Sequence, residues 1–279
     1  MALFTNRAIL TYNGAETVSN TVTGELIGAL TVYKEAVPSV YSPGDTVAYA
    51  VSLVNSGSEP LTGLTLTDDL GAYAEAGESR TPLTFVPGSA VMFIEGSPAG
   101  APVPTGTDPL TFGGLTVPAN GDVLLIYDAA VNSFAPIAAG SQIENTATVT
   151  GAGEEARASA VISVSEEPEL SVTKSVSPPT VMPNGRLTYT FVIENSGNAD
   201  AGGDLVLSDA FSPVLSDIAV TLNAAPLDAG AGYDYDPLTG EFATLPGAIT
   251  VPAAGFTRSA DGTYAVTPGR ATLTVTGAV

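Results

Sequence analysis

The chain has 279 residues, 29 of them acidic and 8 basic, so its formal net charge is −21. It contains no His and no Cys, which excludes disulfides, thiol chemistry and metal sites built on those residues. This much negative charge repels nucleic-acid phosphates, and no apolar run reaches the 18 residues that a membrane span requires. We expect no metal, no cofactor and no nucleic-acid partner.

The N-terminus lacks the basic stretch and long apolar run of a secretion signal. The sequence leaves two explanations open: a leader already removed, or an unusual export route.

Short segments with alternating polarity, rich in Val, Ile, Leu, Thr and Tyr, predict β-strands along the whole chain. Gly, Pro, Asn and Asp cluster between these segments, as in turns, and no segment has a sustained helical period. The clearest predicted strands are 46–54, 64–67, 123–127, 145–150, 187–193 and 271–276. We therefore predict an all-β protein with two immunoglobulin-like β-sandwich domains in tandem.

An internal repeat divides the chain. Residues 31–57 align with residues 171–197 without a gap, and both segments end in Asn-Ser-Gly. Just downstream, the Leu-Thr-Asp that ends at Asp68 recurs as the Leu-Ser-Asp that ends at Asp209. The repeat predicts a complete first domain at 28–167 and a second domain at 168–279, joined near the acidic run 166–169.

The first domain closes with residues 143–164, which predict two strands joined near 151–155. The second domain lacks this ending, but residues 4–25 match it with six identities in 22 positions. We therefore predict that residues 1–27 form a donor β-hairpin that completes the second domain of a neighbouring subunit. Such a head-to-tail, non-closing exchange generates a filament. The simpler alternative is an N-terminal strand that caps the first domain.

Several residues of the hairpin and of the two domains are predicted to point inward because they share the phase of apolar neighbours. On the donor strand these are Phe4, Ala8, Leu10 and Tyr12. The polar residues with the same inward phase are Lys34, Asp68 and Asn145 in the first domain, and Lys174, Asp209 and Asn6 for the second. The two lysines are the only ones in the chain, so we predict a buried Lys–Asp–Asn trio in each sandwich.

Burial lowers the pKa of an amine and raises that of a carboxyl. A neutral lysine can attack an asparagine side chain whose carbonyl is polarised by a protonated carboxyl, and this forms an isopeptide bond and releases ammonia. The spacing favours this reaction and a hydrogen-bonded cluster without a covalent bond about equally.

Three stretches carry a resemblance to a known family: VTKSVSPPTVMPNGRLTYTFVIENSG at 172–197, LVLSD at 205–209 and ENTATVTG at 144–151. They resemble the conserved repeat domain of bacterial surface proteins called domain of unknown function eleven. The chain is also similar to the isopeptide-bonded immunoglobulin-like modules of Gram-positive pilins and adhesins. In those modules Lys and Asn are joined through a catalytic acid.

The resemblance implies two crosslinks. They are a Lys34–Asn145 bond within the subunit, promoted by Asp68, and a Lys174–Asn6 bond between subunits, promoted by Asp209. The second departs from the usual layout of the family because its asparagine lies at the far end of the chain. The family's usual secretion signal and sortase tail are also absent.

The sequence thus predicts a non-enzymatic structural subunit of an extracellular bacterial filament, which polymerises with itself on a cell surface or a spore surface. A surface anchor or tip protein would be a further partner. The alternative is a monomeric adhesin stalk or ligand-binding surface module. A calcium site at residues 234–236 is a weaker hypothesis, because no full calcium-binding loop is present. A secreted hydrolase is also a weaker hypothesis, because no pair of carboxylates stands out.

Overall fold

The computed structural model describes residues 2–26, 28–75, 77–259 and 261–279, with the main chain alone at 2–4 and 24–26. As predicted, the described residues form an all-β fold without helices, and each of the six clearest predicted strands is present. The chain divides into two compact units, residues 1–135 with 142–163 and residues 136–141 with 164–279.

The N-terminal hairpin consists of four short strands: β1 (Ala2–Asn6), β2 (Ile9–Tyr12), β3 (Ala15–Val18) and β4 (Val22–Leu26). Strand β1 pairs with β4, and β2 pairs with β3. At its tip, Asn13 and Gly14 have φ angles of 50° and 78°, as in the type I′ turn that an Asn-Gly pair favours. Every side chain from residue 5 to residue 23 is exposed.

The rest of the first unit is a sandwich of two six-stranded sheets. Its strands are β5 (Leu30–Val37), β6 (Val40–Tyr41), β7 (Thr46–Asn55), β8 (Leu61–Asp68), β9 (Tyr73–Glu75), β10 (Glu78–Arg80), β11 (Leu83–Phe85), β12 (Val91–Ile94), β13 (Ser97–Ala99), β14 (Gly106–Thr107), β15 (Leu110–Val117), β16 (Asp122–Val131), β17 (Gln142–Gly151) and β18 (Glu154–Val164). One sheet has the order β13-β12-β16-β7-β5, with β11 also on β16, and the other has the order β14-β15-β8-β17-β18-β6; β9 and β10 pair with each other as a separate two-stranded sheet.

Alternation along these strands builds the core of the first unit. On β7, residues at every second position are buried, among them Tyr49 and Leu53, and β16 contributes Tyr127 in the same way. The rings of Tyr49 and Tyr127 stack with centroids 5.8 Å apart. The aromatic core therefore lies directly beside the inward-facing polar residues of β5, β8 and β17.

The second unit has a five-stranded sheet and a smaller, three-stranded one. Its strands are β19 (Leu170–Ser177), β20 (Arg186–Asn195), β21 (Ser208–Ala210), β22 (Ser216–Leu222), β23 (Ala225–Leu227), β24 (Tyr233–Tyr235), β25 (Glu241–Thr244), β26 (Gly255–Arg258), β27 (Tyr264–Thr267) and β28 (Gly269–Ala278). The sheets have the orders β19-β20-β28-β22-β23 and β21-β25-β24, and β26 and β27 form a separate hairpin.

In the second unit, β21 is the last strand of the smaller sheet, whereas the equivalent strand of the first unit, β8, has a further strand beside it. In the first unit, β8 lies between β15 and β17, with Asp68 opposite both Leu110 and Ala147. In the second unit, Asp209 of β21 lies opposite Phe242 of β25, and in the described part of the chain β21 has no strand on its other side. That edge of the sheet can accept an added strand, although the N–H of Ala210 already donates a hydrogen bond to Oδ1 of Asp209.

The N-terminal hairpin repeats the geometry of the β17–β18 hairpin near its tip. Leu10 pairs with Thr17 as Val149 pairs with Ala156, and both hairpins turn over two residues with positive φ. Further from the tip, the register of β1 and β4 differs by one residue from that of β17 and β18. The break falls at residues 7–8 and 19–21, whereas β17 and β18 pair without a break from Gln142 and Ser163 to Gly151 and Glu154.

Candidate crosslinking site and acceptor groove

Three strands of the first unit bring the predicted polar trio together. Lys34 of β5, Asp68 of β8 and Asn145 of β17 are all buried, as the alternation predicts. The Nζ atom of Lys34 lies 2.5 Å from Oδ2 of Asp68. Since Ala147 lies opposite Asp68, Asn145 is two residues along the same inward face of β17.

The Asp68 carboxylate is held by three donors. Its Oδ2 atom accepts hydrogen bonds from the Lys34 ammonium and from the Tyr127 hydroxyl. Its Oδ1 atom accepts a bond of 2.9 Å from the main-chain N–H of Leu70. These contacts fix one carboxylate oxygen towards the lysine, which is the orientation that proton exchange between the two groups requires.

Burial changes the acid–base properties of the cluster. It lowers the pKa of Lys34, against the opposing effect of the nearby Asp68 carboxylate. It also raises the pKa of Tyr49 and of Tyr127 above the ordinary tyrosine value. The neutral form of the lysine is therefore more accessible than in water, while both phenols keep their protons.

The Asn145 side chain has no ordinary hydrogen bond despite its burial. Neither Oδ1 nor Nδ2 has a partner, and the same is true of the Tyr49 hydroxyl. The amide lies close enough to the Tyr49 and Tyr127 hydroxyls to affect their pKa values, but without hydrogen-bonding geometry. An unsatisfied buried polar group costs about 1–3 kcal/mol, so this arrangement calls for a functional explanation.

Our reading of the sequence assigned no role to the two tyrosines of this cluster. Tyr49 carried a usable signal, because it recurs as Tyr189 at the same repeat position and has the inward phase. The sequence contains no such indication for Tyr127, because its counterpart in the repeat is Val275. Only the packing of β16 against β8 across the sandwich reveals its contact with Asp68.

In the second unit, Lys174 and Asp209 also form an ion pair, but in the single chain this pair is not buried; the predicted burial requires the donor hairpin of a neighbouring subunit. The side chain of Lys174 is 42% exposed and that of Asp209 is 18% exposed. The lysine ammonium lies 4.6 Å from the ring centroid of Tyr189 and 5.6 Å from that of Phe211. The pair is open because, among the described strands of the second unit, none takes the place that β17 and β18 have in the first unit.

The opening continues as an apolar groove beside β19 and the residues that precede β21. We call this recess, of about 340 Å³, the acceptor groove; its apolar lining is Leu170, Val172, Ile193, Leu205, Val206 and Leu207. Leu170 and Val172 are 41% and 61% exposed, whereas their counterparts Leu30 and Val32 in the first unit are 6% and 7% exposed. The acceptor groove thus exposes side chains that the first unit buries.

The predicted donor residues are accessible. Asn6, Ala8, Leu10 and Tyr12 are all exposed, with Leu10 at 68% and Tyr12 at 75%. Phe4 lies in β1, but its side chain is outside the described residues. The hairpin therefore presents apolar side chains and an asparagine that have no cover.

Of the residues that the structure describes, none belongs to a helix long and apolar enough to cross a membrane. Nor do the described side chains include a group of three or more His, Cys, Asp or Glu placed to hold a metal ion.

No protein-family model and no curated protein matches the chain. Membership of the family that the sequence resembles therefore remains an expectation.

Solved structures give low-scoring matches. BcpA, the major pilin subunit of Bacillus cereus, is 12% identical over 96% of this chain and 73% of its own, with a TM-score of 0.35. RrgB, the pilus backbone from Streptococcus pneumoniae, is 12% identical over 86% of this chain and 55% of its own, with a TM-score of 0.33. AvmM, which catalyses macrocyclization in alchivemycin A biosynthesis, is 13% identical over 58% of this chain and 97% of its own, with a TM-score of 0.32. Similarity this low does not assign a function.

Proposed function

We propose that this protein is a structural subunit of an extracellular bacterial filament. Residues 1–27 of one subunit would complete the second unit of the next, and Lys–Asn isopeptide bonds would seal each subunit and each junction. The observation that carries the proposal is the match between two exposed parts of the chain. The donor hairpin has every described side chain exposed, and the second unit has an open sheet edge beside the acceptor groove.

The first unit supplies the register for docking. If the donor strand takes the place of β17, Ala8 lies opposite Asp209, as Ala147 lies opposite Asp68. Leu10 then lies opposite Leu207, and Tyr12 lies opposite Leu205. Both leucines line the acceptor groove, so the exposed apolar side chains of the hairpin would fill it.

Apolar burial would supply much of the free energy for this docking. Full burial of an aliphatic or aromatic side chain contributes roughly 1.5–3 kcal/mol. Leu10 and Tyr12 of the donor, with Leu170 and Val172 of the acceptor, are all more than 40% exposed. Added main-chain hydrogen bonds along β21 would help to offset an association cost of about 4–15 kcal/mol, and assembly would precede the covalent step.

The covalent step would use only side chains of the two subunits. Docking in this register would bring Asn6 to the position that Asn145 occupies in the first unit, beside the Lys174–Asp209 pair. The Asp209 carboxylate takes one proton from the Lys174 ammonium, and the resulting amine attacks Cγ of Asn6.

The Cγ–Nδ2 bond of Asn6 then breaks. Asp209 returns its proton to the departing nitrogen and takes a second proton from the new amide nitrogen. The products are an amide crosslink, ammonia and a protonated carboxyl. The same scheme with Lys34, Asp68 and Asn145 forms the bond inside the first unit.

Removal of the donor hairpin tests the proposal. Electron microscopy of the purified protein should show fibres, and deletion of residues 1–24 should abolish them. The first unit should remain folded after the deletion because β17 and β18 belong to it. The truncated protein should bind a peptide that spans residues 4–25, and Leu10→Asp in that peptide should prevent binding.

Two results would count against the proposal. Normal fibres from the truncated protein would exclude the hairpin as the donor. A full-length protein that stays monomeric at high concentration would favour the monomeric stalk or ligand-binding module.

A further inference from the structure

Two buried polar side chains of the first unit lack hydrogen-bond partners. The Tyr49 hydroxyl and both polar atoms of the Asn145 amide have no hydrogen-bond partner. They belong to one cluster, because the Tyr49 ring lies 4.9 Å from the Lys34 ammonium and Asn145 lies two residues along β17 from Ala147, which is opposite Asp68. Both residues are wholly inaccessible to solvent.

The other polar groups of the cluster are committed elsewhere. The Tyr127 hydroxyl and the Lys34 ammonium both donate hydrogen bonds to Oδ2 of Asp68. Of the two tyrosine hydroxyls beside the Asn145 amide, only that of Tyr49 has no hydrogen-bond acceptor. Its ring is held in place, because it stacks on Tyr127 and lies 4.9 Å from the Lys34 ammonium.

We infer that the Tyr49 hydroxyl is a catalytic group that stabilises the oxyanion formed when Lys34 attacks Asn145. This inference rests on the Lys34–Asn145 bond proposed above. As Nζ of Lys34 bonds to Cγ of Asn145, the carbonyl π electrons move to Oδ1, and Tyr49 donates a hydrogen bond to that oxygen. When the Cγ–Nδ2 bond breaks, the carbonyl re-forms, ammonia leaves, and Tyr49 retains its proton throughout.

The unpaired state of Tyr49 before the reaction supports this role. A donor bonded equally well to the amide in the ground state would lower the barrier little, because catalysis depends on contacts that are stronger in the transition state. A buried, oriented and unengaged donor needs no reorganisation when the charge develops. The cost of burying it unpaired would be recovered in the transition state.

The second unit contains the same residue at the equivalent position. The ring of Tyr189 lies 4.6 Å from the Lys174 ammonium and stacks on Phe211 with centroids 4.9 Å apart. The contact from Tyr127 has no equivalent there, since β28 carries Val275 at that position. The hydroxyl that recurs in both units is therefore the one assigned to the oxyanion.

The test measures how fast the full-length protein loses ammonia. Newly synthesised wild type, Tyr49→Phe and Tyr73→Phe are sampled over time from a cell-free translation, and intact mass gives the fraction of each that is crosslinked. Loss of one oxyanion donor should slow the reaction by about 10²–10³-fold in Tyr49→Phe. Tyr73→Phe is the matched control, because its hydroxyl donates to the carbonyl of Phe134 outside the cluster, and it should react like wild type.

Thermal unfolding separates catalysis from a structural role. In an Asp68→Ala background, where no bond forms, Tyr49→Phe should leave the melting temperature unchanged or raised because no hydrogen bond is lost. A lowered melting temperature there, or a wild-type rate in Tyr49→Phe, would overturn the inference. An unmodified mass in folded wild type would instead overturn the proposed bond, and the assignment of Tyr49 with it.

Discussion

The Nζ atom of Lys34 lies 2.5 Å from Oδ2 of Asp68, and neither side chain has any exposed surface. A buried ion pair of this kind is weak evidence for stability, because the desolvation of two charges offsets most of their attraction. Its position beside an unpaired asparagine fits a reactive cluster better than a stabilising one. Under the proposed assembly, the open Lys174–Asp209 pair would correspond to the same cluster before Asn6 arrives.

The first prediction concerns the mass of the monomer. Wild type should be lighter than its sequence mass by one molecule of ammonia, owing to the Lys34–Asn145 bond. Asp68→Ala should restore the full mass, because no group then exchanges protons with Lys34. Asp69→Ala is the control; Asp69 is half-buried and bonds the main-chain N–H groups of Gly71 and Thr146, so this variant should stay crosslinked. The full mass in folded wild type would leave only the hydrogen-bonded cluster.

The second prediction concerns the junction between subunits. Boiled wild-type filaments should run as a ladder on a denaturing gel. Asn6→Ala should still assemble, since apolar burial and strand pairing remain, but should give only monomer after boiling. Asn145→Ala removes the internal asparagine instead and should keep the ladder. If wild-type filaments dissolve fully to monomer in hot detergent, the covalent junction is wrong and the donated hairpin can still be right.

The third prediction concerns stability against pH in Asn145→Ala, which cannot form the internal bond. Burial in the folded state lowers the pKa of Lys34 below the ordinary value of 10.5. Between the lowered pKa and 10.5, the unfolded chain therefore binds more protons than the folded one. The free energy of unfolding should therefore rise with pH across this window. Above about pH 10 the free energy of unfolding should fall with pH on account of Tyr49 and Tyr127. Their pKa values are raised in the folded state, so the unfolded chain loses these protons first.

Chemical denaturation of Asn145→Ala between pH 7 and pH 10 measures this slope. The control is Lys34→Met in the same background, which keeps Asp68, Asp69 and the tyrosines but removes the titrating amine. It should lack the rise. Equal slopes in the two proteins would show that Lys34 is not the group responsible.

The fourth prediction concerns Arg7, which is exposed on the donor hairpin. In the proposed register it lies opposite Ala210, and Ala210 lies opposite Glu241 in the next strand. Adjacent strands are about 4.8 Å apart, so an arginine can reach across the small alanine to the glutamate. Arg7→Ala should slow assembly a few-fold, by about 0.2–1 kcal/mol, and reduce its salt dependence.

Arg157→Ala provides the matched control for Arg7→Ala. It makes the same change in net charge, but Arg157 is exposed on β18 and pairs with Glu155 within the first unit. Fibre growth followed by light scattering at low and high salt should distinguish the two variants. Equal effects would mean that Arg7 acts only through net charge.

The sequence by itself determined the all-β fold and the inward phase of the polar residues. The alternation of inward and outward side chains along a strand is a local property, and the internal repeat shows the same alternation in two copies. Lys34, Asp68 and Asn145 could therefore be assigned to the core from their apolar neighbours. The match of residues 4–25 to the closing hairpin of the first domain likewise required only alignment. The tip register that Leu10 and Thr17 share with Val149 and Ala156 agrees with that match.

Only the tertiary structure decided which inward residues are buried and which groups meet. Lys174 and Lys34 have the same phase, yet one is open and the other covered, because burial depends on whether a neighbouring strand is present. The contact of Tyr127 with Asp68, and the absence of any partner for Tyr49 and Asn145, arise between strands far apart in the chain. Alternation assigns a side chain to a face, but the packing of one sheet against the other sets the distances on which the chemistry depends.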